Sequence, residues 1–312
     1  MFSLENVLYF QAGLGVLANM FLLVFYIFII LSHRPKLIDL ISCQLTFVHI
    51  VMILTGGNIM LTDIFEYLNV ENNIKCKATL YINRVMRGLS ISITCLLSVF
   101  QAVTISPSTS LLAKFKHKLR RHIINALFYI WSFNFFLSSN LIFYVGGFTN
   151  VSQTKQMKVV KSCSLFAMNY IIKGMILTLS TSRDMFLVGV MLITSTYMVI
   201  ILFRHQRKCN HLHSISQLRE SHEKRAIQTI LLQVVFFVVM YWVNLIITSI
   251  SFLLWMYNPV ILTLQNFVMN AYPTVTPLVQ FSSDKRIINV LKNMQSTCPQ
   301  VFLSIFTYSL YI

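Results

Sequence analysis

The chain has 312 residues, 56% of them hydrophobic and only 11% charged, with a formal net charge of +16, and its mean hydropathy is +0.70. A soluble domain carries about 25% charged residues, so this composition excludes an ordinary soluble domain and points to a membrane protein. The positive charge is not a nucleic-acid footprint. Most Lys and Arg fall in short clusters between long uncharged segments, as in membrane-flanking loops, and no nucleic-acid partner is expected.

Seven spans are predicted, at about 7–31, 40–62, 78–104, 123–147, 185–203, 226–256 and 260–281. The first apolar stretch, 6–31, holds no Lys, Arg, Asp or Glu and is too long for a signal-peptide core. The third holds Arg84 and Arg87, and the fifth lies between Asp184 and Arg204. Residues 226–283 contain no charge at all. As one helix they would run ~87 Å at 1.5 Å per residue, against a hydrocarbon core of ~30 Å. Asn258-Pro259 is a turn signal that divides them into two spans. The apolar run 162–172 is bounded by Lys161 and Lys173; at ~16 Å it is too short to cross. Long segments without alternation exclude a β-barrel. The expectation is an all-α membrane protein with a seven-transmembrane helix bundle over 1–283 and a cytoplasmic tail over 284–312. A short amphipathic helix is expected after the seventh span, started by Ser282-Ser283-Asp284.

Charge placement orients the bundle. With the N-terminus outside, the inner segments carry Arg34, Lys36, Lys114, Lys116, Lys118, Arg120, Arg121, Arg204, Arg207, Lys208, Arg219, Lys224, Arg225, Lys285, Arg286 and Lys292. The outer ones carry Lys75, Lys77, Lys155, Lys158, Lys161, Lys173 and Arg183. The positive-inside rule therefore favours an outer N-terminus and an inner C-terminus. Asn150-Val151-Ser152, the N-x-[ST] sequon, then falls in an outer loop. Cys76 and Cys163 also lie outside, where a disulfide persists. Cys43, Cys95, Cys209 and Cys298 read as unpaired thiols.

Little here resembles catalysis. No Asp or Glu is expected inside the seven spans, which argues against a proton or ion transporter. There is no G-x-S-x-G, no H-E-x-x-H and no Cys/His spacing of a metal site, so no enzyme, metal or cofactor is expected. His211-Leu212-His213 reads as a solvated pair in a basic loop. Binding and conformational signalling remain.

Four blocks then carry a resemblance: HRPKLIDLISCQLTFVH at 33–49, RGLSISITCLLSVFQAVTISP at 87–107, VMYWVNLI at 239–246 and NAYPTVTPLVQFSSDKRI at 270–287. In this order, and with FRHQRKCNHLHS at 203–214, they resemble the vomeronasal type-1 receptors over nearly the whole chain. The resemblance implies a rhodopsin-like receptor in the plasma membrane of sensory neurons that detects a small-molecule pheromone and signals through an inhibitory-type heterotrimeric G protein. It also implies a Cys76–Cys163 disulfide and a glycan on Asn150. The alternatives are a bitter-taste-type chemosensory receptor and a non-signalling seven-helix scaffold. The chain departs from the family at Ala18, where Gly is more usual, and in its apolar end, QVFLSIFTYSLYI.

Counting down the third helix from Cys76 puts Arg84 at ~12 Å and Arg87 at ~16 Å, the latter near the membrane midplane. Intramembrane ions are functional by default, so both are candidates for the polar end of a ligand pocket, with Ile91, Tyr170, Lys173 and Gln265. Such a pocket suits anionic or acceptor-rich small molecules, sulfated steroids among them. The plainer reading has Arg84 snorkelling outward and Arg87 paired with amides such as Asn58 or Gln265. Gly88 would admit a close neighbour. At the inner end, the position that carries the acid-Arg-aromatic triplet in rhodopsin-like receptors is Gln101 here, so the charged latch is missing. Gln101, Arg204, Arg207, Lys224, Arg225 and Lys285 are candidates for G-protein coupling. The basic loop reads equally as a site for anionic lipid. Pro273 and Pro277 mark the seventh helix as either a hinge or a bent rod.

Overall fold

The computed structural model describes residues 2–32, 36–56, 72–106, 111–140, 142, 145–147, 157–160, 163–165, 170–211, 231–232, 234–247, 259–283 and 286–288. Six long helices and one shorter one run through them: α1 (Phe2–Leu31), α2 (Leu37–Gly56), α3 (Asn72–Ile105), α4 (Leu111–Ser138), α5 (Tyr170–His211), the shorter α6 (Val234–Ile247) and α7 (Pro259–Ser283). Among the described residues, four contain an apolar stretch long enough to cross a membrane, namely Asn6–Leu31, Leu37–Gly56, Lys77–Ile105 and Thr178–Ile201. Between α4 and α5 lie three short strands, β1 (Val145–Gly147), β2 (Met157–Val160) and β3 (Cys163–Leu165), in the antiparallel order β1-β3-β2. The strands are confined to a connection. There a segment that leaves the helices pairs its backbone groups with itself.

Helix α3 organises the packing. It contacts α2, α4 and α5, and it also meets β1. Its buried residues join two apolar cores. On one side Val85, Leu89 and Ile93 pack with Ile41, Leu45 and Val48 of α2 and with Ile123 and Leu127 of α4. On the other, Ile91 and Cys95 pack with Val188 and Met191 of α5, Phe237 and Tyr241 of α6, and Tyr272 of α7. Between these runs a stripe of small hydroxyl residues, Ser90, Ser92, Thr94 and Ser98, is buried as well. Small side chains let helix backbones approach and hydrogen-bond where lipid offers no hydrophobic drive for association. The bonds formed are Thr94 to Tyr272 at 2.9 Å, Ser98 to Thr194 at 2.7 Å and Ser106 to Tyr197 at 2.9 Å. Large apolar side chains such as Phe128, Phe136, Phe186 and Ile193 point outward instead, as lipid-facing residues do.

The two prolines of α7 are accommodated by α1. Pro277 has no N–H, so the carbonyl of Pro273 loses its helical donor. Asn19 supplies one, with Nδ2 donating to Pro273 O at 2.8 Å and to Gly15 O at 2.7 Å. Gly15 permits the approach. A Cβ there would stand 2.6 Å from Thr274 Oγ1 and 2.8 Å from Ile53 Cδ1. The methyl of Ala18 is buried in this packing.

The inner end departs from the sequence expectation at two residues. Asp39, placed just ahead of the second span, lies in α2 with 0% exposure, and its Oδ2 accepts from the Lys36 backbone N–H at 3.1 Å. Arg286, counted among the inner-side cations, grips Asp39 bidentately, Nη2 to Oδ1 at 2.8 Å and Nη1 to Oδ2 at 3.2 Å. Next to it, Ile287 is buried against Leu22, Phe25 and Tyr26 of α1. Residues 286–288 are thus held under α1 and α2. Planar guanidinium and carboxylate match in a fork geometry, and no local pattern reveals a pair separated by most of the chain.

The ion pair yields a stability prediction. In Arg286→Met the Asp39 carboxylate keeps only its backbone partner. Because Arg286 itself is partly exposed, the loss is set at about 2 kcal/mol, the range of hydrogen bonds to charged groups. Thermal melting of detergent-solubilised receptor should show a drop for Arg286→Met and a smaller drop for Asp39→Asn/Arg286→Met. Equal drops would mean that the buried carboxylate is not the cause.

Candidate functional site

Arg84 and Arg87 both enter the bundle, on the same face of α3 but toward different partners. Arg84 Nη2 donates to Ser180 Oγ on α5 at 2.8 Å. Arg87 Nη1 lies 3.8 Å from Met269 Sδ on α7. A thioether is a weak acceptor, so this contact leaves most of the guanidinium's donor capacity to other groups.

An ion pair lies in α5 where the sequence reading had put none. Helix α5 starts at Tyr170, not near 185, and its apolar stretch runs from Thr178 to Ile201. Arg183 and Asp184 therefore lie inside the helix and within the membrane-crossing length, where an outer loop and a carboxylate-free span were expected. Hydropathy treats a charged pair as a boundary, yet Tyr170–His211 contains no Pro to stop the helix. Asp184 is 8% exposed. Its Oδ1 accepts from Nε and Nη2 of Arg183 at 2.8 and 2.5 Å.

Gly88 is the reason this cluster can form. A Cβ at that position would press on Oδ1 of Asn134 and stand 3.0 Å from Arg183 Nη1. Asn134, fully buried on α4, accepts from Arg183 Nη1 at 3.1 Å, and its Nδ2 reaches Ser92 Oγ at 3.4 Å. The neighbour that Gly88 admits is thus a polar link from α4 to α5 across α3.

Arg87 lines a cavity of about 40 Å³ with Ile91, Phe237, Tyr241, Met269 and Tyr272. That is room for a few waters, whereas sites for drug-sized ligands measure ~300–1,000 Å³. Met52, Met240 and Met269 all face it, and unbranched thioethers change rotamer readily. Below it, Tyr272 meets the edge of Phe237 at 4.6 Å and His49 at 5.2 Å, and His49 Nε2 is hydrogen-bonded to Ser90 at 3.1 Å. The cavity is therefore small, mostly apolar and walled by α2, α3, α6 and α7.

Of the other sequence candidates, Ile91 is buried in the cavity wall, whereas Gln265 lies on α7, half-buried and one turn above Met269. Tyr170 and Lys173 lie in the first turn of α5, and their side chains are outside the description, as are those of Cys76, Cys163 and Arg207. Asn58, Asn150, Lys224, Arg225 and Lys285 lie outside the described residues altogether. Arg204 is exposed near the inner end of α5. Gln101 is buried, and its Oε1 has no partner among the described residues. Cys43 and Cys95 carry free thiols.

Comparison with known proteins agrees with this arrangement. The profile of the family described as "Vomeronasal organ pheromone receptor family" matches residues 2–293. Vomeronasal type-1 receptor 100 of Rattus norvegicus is 38% identical over 94% of this chain and 90% of its own length. Vomeronasal type-1 receptor 45 of Mus musculus is 36% identical over 93% and 91%, and vomeronasal type-1 receptor 90 of Rattus norvegicus is 37% identical over 93% and 94%. A match of this extent, on a helical bundle with a polar interior, leaves no room for an enzyme: the chain belongs to the vomeronasal type-1 receptor family and is a seven-helix, pheromone-detecting, G-protein-coupled receptor of the plasma membrane of sensory neurons.

Proposed function

We propose that the Arg87 cavity is the core of the pheromone site and that it takes a small molecule bearing an anionic or acceptor-rich group on an apolar body. The observation that carries this reading is Arg87 itself. It is a guanidinium at membrane depth whose hydrogen-bond acceptor among the described residues is a thioether, on the wall of a mostly apolar cavity. A ligand oxygen is a far better acceptor. Ile91, the flexible Met52, Met240 and Met269, and the aromatic Phe237 and Tyr272 suit a hydrophobic ligand body. Arg84 belongs to the entrance side, one turn above Arg87, and Gln265 contributes from the turn above Met269. Ligand entry requires the cavity to widen, so binding and conformational change are linked.

The extracellular side is capped by a Cys76–Cys163 disulfide and bears a glycan on Asn150 in our reading. Support for the disulfide comes from topology. Helix α3, which carries Cys76, packs against β1, and β1 pairs with β3 so that Gly147 stands opposite Cys163. On the inner side, an inhibitory-type heterotrimeric G protein engages Arg204, Arg207, Lys224, Arg225 and Lys285 around the buried Gln101. Residues 284–312 form the cytoplasmic tail. Pro273 and Pro277 act as the hinge of α7, with Asn19 holding the freed carbonyl.

Three measurements test these assignments. In G-protein reporter cells matched for surface receptor, Arg87→Gln should shift the response to an active steroid sulfate, or to another active anion of the panel, at least tenfold to higher concentration. An unchanged dose–response curve would reject the cavity as the ligand site. Pertussis toxin should abolish the response of the wild type, and a toxin-resistant response would reject the inhibitory-type G protein. Non-reducing proteolytic mapping should join the Cys76 and Cys163 peptides in wild type and separate them in Cys163→Ser.

A further inference from the structure

We propose that the seam between α1, α2 and α7 binds interior water at the Asn270 amide, in a site separate from the Arg87 cavity. Asn270 is 1% exposed, and neither its Nδ2 nor its Oδ1 has a hydrogen-bond partner among the described residues. Its neighbours on α7, Val268, Met269 and Tyr272, line the cavity, whereas Asn270 does not. It is turned toward α1 and α2 instead.

Two contacts wall the site. The first is Gly56 of α2, where a Cβ would stand 2.7 Å from Asn270 Oδ1, so the amide lies against backbone that carries no side chain. The second is Gln11 of α1. Its Nε2 donates to Phe267 O at 3.1 Å, and its Oε1 is buried with no partner among the described residues. Phe267, Asn270 and Thr274 share one face of α7, because residues three and four apart on a helix are neighbours. Thr274 in turn packs at Gly15 of α1. Gln11 and Asn270 thus belong to one seam, which holds two unanswered acceptor oxygens and an unanswered amide donor. The surrounding helices are fixed by other bonds and do not close on these atoms. Asn83 of α3 donates to Thr55 Oγ1 at 3.0 Å, next to Gly56, and Asn19 of α1 holds Pro273 O.

A buried amide without partners is costly, and lipid offers it none. An anion or a cation would serve only one half of the amide. Water both donates and accepts, and interior water typically makes two to four such bonds. Water that accepts from Asn270 and donates to Gln11 ties α7 to α1 at the turn that carries Met269, on the side away from Arg87. A bond through water is nearly as favourable as a direct one, and it can be remade when the helix shifts.

Thermal melting of detergent-solubilised receptor tests the proposal by the sign of the change. Leu replaces the amide of Asn270 with two methyl groups of nearly the same shape. If water answers the amide, Asn270→Leu loses those bonds and strands Gln11 Oε1, so the melting temperature should fall by about 2–4 °C. A dry site would be relieved of an unpaired amide, so an unchanged or raised melting temperature would overturn the proposal. In a Gln11→Leu background the fall caused by Asn270→Leu should be smaller, because the second partner of the water is already gone. An undiminished fall would overturn the sharing between α1 and α7. Cryo-electron microscopy of the wild type, at a resolution that shows ordered water elsewhere between the helices, should show a water peak within hydrogen-bond distance of the Asn270 amide. A bare amide, or a protein side chain bonded to it, would overturn the proposal whatever the melting shift.

Discussion

A hydrocarbon core contains no water, so each polar group inside it must be answered by another group of the protein. The rest of this structure follows from how that is done. The backbone is satisfied by helices, and the side chains are satisfied in pairs and chains that cross from one helix to the next. Asn19 completes the carbonyl that Pro277 orphans. Asn134 and Asp184 together restrain Arg183. Asp39, wholly buried, is completed by Arg286. Each case replaces a solvation that lipid cannot provide, and each joins two elements that hydrophobicity alone would leave free to slide.

Helix α3 is where these links converge, because it touches most of the bundle and is built for close approach. Gly88 and the buried stripe Ser90, Ser92, Thr94 and Ser98 keep its surface small. Hydroxyl bonds between helices are worth roughly 0.6–2 kcal/mol each in membranes. They are strong enough to define one arrangement and weak enough for another to compete with it. A charged latch at Gln101 would hold the inner end more tightly. Instead that residue is buried with its carbonyl oxygen unpartnered among the described residues, and a buried ion pair sits elsewhere, between Arg183 and Asp184 of α5.

Two kinds of residue were misplaced by sequence reasoning, and for one reason. Asp184 and Asp39 were treated as span boundaries because hydropathy counts a charge as solvent-exposed. In the folded chain both are buried, since a partner removes the cost: Arg183 next door for Asp184, and Arg286 from the far end of the chain for Asp39. An adjacent Arg-Asp pair within a stretch that has no helix breaker was the available signal for the first. No local signal existed for the second. Conversely, the entry of Arg84 and Arg87 into the bundle was legible, because two cations three residues apart in an otherwise apolar run share one helix face.

What the sequence by itself determined is the architecture and its orientation. The number of long uncharged runs sets the number of helices, the loop charges set their direction, and the motif blocks in order identify the family. These are properties of length, hydropathy and local pattern, and they do not depend on which helix lies beside which. The tertiary structure decided the site. Which helix answers Arg87, why Gly88 must be small, how Asn19 repairs the break in α7, and where the chain after α7 is anchored all depend on side chains brought together from distant positions. In a medium that solvates no ion, the identity of that neighbour determines whether a charge is a boundary or part of the machinery.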